Sequence, residues 1–246
     1  MALRIAFDMD GVFADMEAEL ARRAEALFGE AVARRSDDQA NSSGDAADAA
    51  TPQADGESAQ DEAPPLSKLM MNARQQRRLW RHVESIENFW ETLEEIEPGS
   101  VARLAAIVAE RRWEVIFLTK RPKSAGVTAQ VQSQRWLEAK GFLLPSVFVV
   151  QRSRGRIAEA LALDIVVDDR PENCLDILVD SKARAILVWR DDPKGLPVAA
   201  RRLGIGVVKS VMECLDVLMK IDSPTDEKTS LLDRMKRLLG LKEANV

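Results

Sequence analysis

Six short apolar runs, residues 3–8, 113–119, 146–151, 164–169, 184–189 and 205–210, punctuate this chain, and the later ones alternate with segments whose apolar residues recur at helical spacing. Val101, Leu104, Ala105 and Val108 form one such stripe; Ile157, Ala160 and Leu161 form another. Strands that are apolar throughout must be covered on both faces, and strands separated by helices pair in parallel. The pattern predicts an α/β fold with a doubly wound parallel sheet.

One interval is out of scale. About a hundred residues separate the first run from the second, where a crossover between parallel strands needs only about a dozen. The expectation is an inserted helical cap over residues 15–98, which splits the sheet domain into 1–14 and 99–220. Its flanks, 15–35 and 65–96, read as helices, with Asp15 as N-cap of the first and Leu66, Leu69, Ala73, Trp80, Val83 and Ile86 as the apolar stripe of the second. Between them, residues 36–65 contain no Val, Ile, Leu, Met or aromatic side chain, so burial cannot offset the entropy of ordering them. A disordered acidic loop is expected there. The tail, 221–246, reads as one amphipathic helix with Leu231, Leu232, Met235 and Leu238 on its apolar side.

Residues 36–65 also carry eight acids and no Lys or Arg, so against a chain total of −5 the remainder stands at +3. A mildly basic folded part suits a small anionic substrate. Arg74, Arg77, Arg78 and Arg81 share one helix without interleaved aromatic residues, which reads as a solvated face, so no nucleic-acid polymer is expected as a partner. Cys174 and Cys214 are far apart, and His82 is the single histidine, which argues against a disulfide framework or zinc site and for a reducing, cytoplasmic setting. No run approaches the ~20 apolar residues of a membrane span, so no stable membrane insertion is expected. The oligomeric state is left open, a homodimer included.

The strands end in chemistry. "LRIAFDMDGVFAD", residues 3–15, stops at Asp8 and meets Asp10 before turning through Gly11; since residues i and i+2 of a strand share a face, both acids are expected to enter one crevice. A second run ends in Thr119 and another in Asp168 and Asp169. Ligands of open parallel sheets bind at the carboxyl ends of the strands. Carboxylates gathered there repel unless a cation neutralises them, and their hard oxygens select Mg²⁺.

In this order "DMDGV", a strand-terminal Thr and "VVDD" resemble the first, second and fourth motifs of the haloacid dehalogenase-like hydrolase superfamily. The resemblance implies a Mg²⁺-dependent phosphomonoesterase acting on a small phosphomonoester. Asp8 would be the nucleophile, Asp10 the acid and base, and Thr119 a donor to the phosphoryl oxygens. The metal would be held by Asp8, Asp10 through its backbone carbonyl, and Asp168, with Asp169 facing elsewhere and orienting the loop. Where the family usually places a Lys before the fourth-motif strand, this chain has Arg154, with Arg156 nearby; a guanidinium can also neutralise phosphate. "FDMDGVFAD", "FWETLEEIEPGSVARL" and "DDRPEN" are similar in wording to the 5'(3')-deoxyribonucleotidase branch, which implies a nucleoside monophosphate and a stacking aromatic from Phe13, Phe89 or Trp90. Lys120, beside Thr119, is a further candidate for phosphate. The alternative to an enzyme is a non-hydrolytic member that binds a phosphorylated ligand as a regulator or scaffold, and phosphotransfer to an acceptor other than water shares the first step.

Overall fold

A computed structural model describes residues 2–29 and 71–222. The predicted acidic loop and C-terminal helix lie outside the described residues.

Six strands form one fully parallel sheet: β1 (Arg4–Asp8), β2 (Glu114–Thr119), β3 (Ser146–Val149), β4 (Ile165–Asp168), β5 (Arg184–Val188) and β6 (Gly206–Val208). Their spatial order is β3-β2-β1-β4-β5-β6. The chain builds outward from β1 in one direction, returns, and builds outward in the other, so the switch point of the topology lies at the carboxyl end of β1. All six predicted runs are strands, one to three residues shorter than the apolar pattern.

The two sheet faces have separate cores. Ile5, Phe7, Phe117, Val147, Ile165, Val167, Ile186 and Val188 face one side, and Ala6, Leu118, Val166, Ala185 and Leu187 face the other, as the two-residue period requires. The first core is covered by α1 (Met16–Phe28), α2 (Ala73–Ser85), α3 (Ser100–Arg111), α4 (Ala129–Ala139) and, after β6, α8 (Val211–Ile221). The second is covered by α5 (Arg154–Ala160), α6 (Pro171–Asp180) and α7 (Val198–Arg202).

Asp15 caps α1 by accepting from the Ala18 amide at 3.0 Å, as its position before the apolar stripe predicts. The insertion is strapped at its base: Asp15 N donates to the Glu94 carbonyl at 2.9 Å and Ile96 N to the Phe13 carbonyl at 2.8 Å. Leu20, Ala24, Leu79, Trp80, Val83, Phe89 and Trp90 belong to the same apolar cluster as Phe7 and Phe117, so the described helices of the insertion share the core of the sheet. The single helix predicted over 65–96 is interrupted. α2 stops at Ser85, Asn88 adopts a left-handed conformation at φ 51°, and Phe89–Glu91 form one 3₁₀ turn. Asn tolerates that conformation better than most residues, and its side chain is used as well, accepting from the Val127 amide at 3.1 Å.

Candidate active site

Strand β1 delivers Asp8 into a nearly closed setting, 4% exposed. Arg154, the first residue of α5, reaches it from the adjacent helix: Nη2 donates to Asp8 Oδ1 at 2.6 Å, and Nη1 lies 2.7 Å from Asp168 Oδ2 as an ion pair without hydrogen-bond alignment. Ser153 starts that helix by accepting from the Arg156 amide, which turns Arg154 inward and Arg156 outward. Arg156 is exposed and pairs loosely with Asp180 at 3.6 Å. Of the two arginines considered for the third motif, Arg154 alone reaches the acids.

Asp8, Asp168 and Asp169 each place one carboxylate oxygen within 4.8 Å of the others. Asp168 is braced by the Asn173 side-chain amide at 2.9 and 3.1 Å and by the Arg170 amide at 2.9 Å. Asp169 turns into the cluster and not, as expected, away from it: β4 ends at Asp168, so strand alternation no longer governs the next residue. Burial is the largest influence on both flanking acids. It raises the Asp8 pKa well above the carboxylate range, with Arg154 opposing and the Asp168, Asp169 and Asp10 charges reinforcing. Asp169 is pushed up to about 7, by burial first and the Asp168 charge second, against Arg170 and Arg154.

Gly11 makes this crowding feasible. Its φ is 84°, and a Cβ there would stand 1.9 Å from Asp169 Oδ2. Any side chain at residue 11 would both strain the backbone and displace an acid of the cluster.

The Asp10 side chain faces a different neighbour from Asp8, although its charge is felt there. The chain leaves the strand at Asp8 and tightens into a turn, with Phe13 N and Ala14 N both donating to the Met9 carbonyl at 2.9 Å. Asp10 therefore points sideways to the end of β2. There its Oδ2 accepts from the Thr119 hydroxyl at 3.0 Å, and Arg121 grips both oxygens, Nε at 2.9 and 3.1 Å and Nη2 at 2.7 Å. Its side chain is no part of the acidic trio. Thr119 is itself fully buried and has its hydroxyl committed to Asp10.

Phe13, Phe89 and Trp90 require a correction. All three are fully buried: Phe13 packs on Phe7 and Phe117 with ring centroids 5.5 and 6.1 Å away, and Phe89 on Trp90 at 4.9 Å. Closed in the core, none offers a ring face to a base. Lys120 is exposed, with no ion pair among the described residues.

Sequence reasoning missed Arg121, Asn173 and Arg190. Arg121 lies two residues past the end of β2, where strand periodicity no longer sets direction, so spacing gave no signal for it. Arg190, after β5, donates to the carbonyl oxygens of Gly11 and of Val12, the latter at 3.1 Å, and pairs with Glu97 at 2.8 Å. Glu97 also accepts from the Val211 and Met212 amides, which ties the turn after β1 to the start of α8.

A protein described as a β-phosphoglucomutase from Thermotoga maritima superposes with a TM-score of 0.50 at 18% identity, over 88% of this chain and 98% of the other. A haloacid dehalogenase family hydrolase from Deinococcus radiodurans R1, solved with bound phosphate and sodium, does so with a TM-score of 0.50 at 13% identity, over 88% and 95%. The fold is that of the haloacid dehalogenase-like hydrolases. Neither neighbour bears on the nucleotidase branch. No family model and no curated protein matches the chain.

The residues fit a divalent cation of this fold. Asp169 Oδ1 is buried with no hydrogen-bond partner among the described residues, and three carboxylates face one another around one guanidinium. That leaves an excess of negative charge built from hard oxygen donors, which suits Mg²⁺. No described helix is long and apolar enough to cross a membrane.

Proposed function

We propose that this protein is a Mg²⁺-dependent phosphomonoesterase acting through an aspartyl-phosphate on a small phosphorylated metabolite. The observation that carries the reading is the division of four acids at the switch point into a trio, Asp8, Asp168 and Asp169, and a separately paired Asp10. Phosphoryl transfer needs both parts: a cation site beside a nucleophile, and a second carboxylate, held apart from the cation site, to move protons.

Asp8, Asp168 and Asp169 would hold the ion, with the Asp10 backbone carbonyl. When bound, Mg²⁺ supplies the positive charge that lets an anionic nucleophile and a phosphate dianion meet. An Asp8 oxygen attacks phosphorus, the bond to the leaving oxygen breaks, and Asp10 delivers a proton to that oxygen. Water then attacks phosphorus, the bond to Asp8 breaks, and Asp10 takes the proton of the water, so each turnover restores the protonation of the last. Arg154 neutralises charge beside the nucleophile, and Thr119, whose hydroxyl donates to Asp10, helps hold the proton-transfer carboxylate in place. The phosphate bound by the Deinococcus neighbour supports a phosphoryl ligand. A nucleoside monophosphate is one member of the substrate class, resting on the wording of residues 7–15, 89–104 and 168–173.

A second reading, binding without turnover, draws on the 4% exposure of Asp8 and its bond to Arg154. Phosphate release from nucleoside monophosphates, sugar phosphates and an aryl phosphate decides between them. The enzyme reading requires release that vanishes in Asp8→Asn and without Mg²⁺; folded protein that releases nothing supports the binding reading.

A further inference from the structure

Arg121 is 1% exposed, so it is not open to a ligand, and among the described residues it pairs with none of the trio. Two of its nitrogens bond Asp10, and the third, Nη1, donates to Ser133 Oγ at 2.8 Å, which in turn donates to the Ala129 carbonyl at 2.7 Å. The ring of Trp90 covers the guanidinium, with 5.1 Å from Cζ to the ring centroid. Trp90 is fixed in turn: its indole N–H donates to the Pro122 carbonyl at 2.9 Å and its amide to Gln132 Oε1 at 3.0 Å. Every partner of this arginine is either Asp10 or the scaffold that aims the guanidinium at Asp10.

We propose that Arg121, clamped between Trp90 and Ser133, is a positioning residue that holds the Asp10 carboxylate beside Thr119 and out of the acidic trio; this rests on the phosphomonoesterase reading. Planar, bidentate pairing fixes both the place and the plane of a carboxylate, which a single hydroxyl from Thr119 does not. Substrate phosphate is left to Arg154 and the cation, because Arg121 has no open face. A proton-transfer group that is misplaced by about an ångström loses most of its effect, and the loss is greatest where the leaving oxygen is most basic.

The test compares an alkyl phosphate with an aryl phosphate in wild type, Arg121→Met and Arg121→Lys. Aryloxides leave without help and alkoxides do not, so the alkyl-to-aryl kcat ratio is expected to fall about tenfold or more in Arg121→Met and to recover in part in Arg121→Lys, with KM changed less than about threefold. Equal slowing of both substrates, or a rise in KM at constant kcat, overturns the proposal. Thermal melts of Asp10→Asn, Arg121→Met and the double variant supply a readout independent of turnover. The losses in Tm are expected to be strongly non-additive, and additive losses overturn the contact itself. Wild type that releases no phosphate refutes the phosphatase reading, while the melts still decide whether Arg121 holds Asp10.

Discussion

On one side of the rim, Asp8, Asp168 and Asp169 face one another around a single guanidinium, and two of them titrate well above the usual carboxylate range. On the other side, Asp10 meets Arg121 and Thr119 in a pair that is complete without any ion. Both regions bury carboxylates at the end of the same sheet. The difference lies in the count of local charge: an excess of acid makes a region that is unfavourable until a cation or protons arrive, whereas a balanced pair holds its geometry without either. A two-step phosphoryl transfer uses one of each.

The largest expected effect removes the nucleophile. Asp8→Asn is expected to lower kcat for an aryl phosphate by roughly a thousandfold or more, read from phosphate release, and a variant keeping a tenth of the activity would move the nucleophile elsewhere. Arg154 comes next. Arg154→Met is expected to cost about a hundredfold in kcat, and Arg154→Lys, which restores charge without the fork, about tenfold or less. If the two variants behaved alike, geometry and not charge would govern that position.

Gly11→Ala probes the crowding of the trio. It is expected to weaken Mg²⁺ binding, measured by calorimetry, by about tenfold and to lower the Tm, since a Cβ on residue 11, whose backbone stands at φ 84°, must displace the Asp169 carboxylate. Unchanged affinity would place Asp169 outside the cation site.

The smallest effect is on pH dependence. Unfolded carboxyl groups titrate near 4, while folded Asp169 titrates at about 7 and Asp8 is also raised. Between those values the folded protein holds more protons than the unfolded chain, so without metal its stability rises as pH falls. In EDTA the Tm is expected to increase by about 2–4 °C from pH 8 to pH 5.5, and Mg²⁺ should reverse the trend because it binds the deprotonated acids. A Tm that drops on acidification in EDTA would show that the trio is neutralised by other means.

The same comparison explains what was readable in the sequence. Apolar runs that break off at Asp8, Thr119 and Asp168 show strand and strand end together, because a buried strand terminates where its residues become polar. Arg154 was legible by its place one helix before β4. Residues just past the strands were not, since periodicity ends with the strand: Asp10 turns sideways, Asp169 turns inward, and Phe13 folds back onto Phe7. Arg121 reads in sequence as one of two loop cations beside Lys120. Only packing under Trp90 separates a buried clamp from a solvated charge.

Turnover through Asp8 requires that its carboxylate become covalently phosphorylated. Protein quenched in acid during turnover with Mg²⁺ and an aryl phosphate, reduced with borohydride and digested, would carry the reduced acyl mark on the peptide containing residue 8. A mark on Asp8 that is absent without Mg²⁺ is the predicted result; steady phosphate release with no mark, or with the mark on another carboxylate, would contradict it.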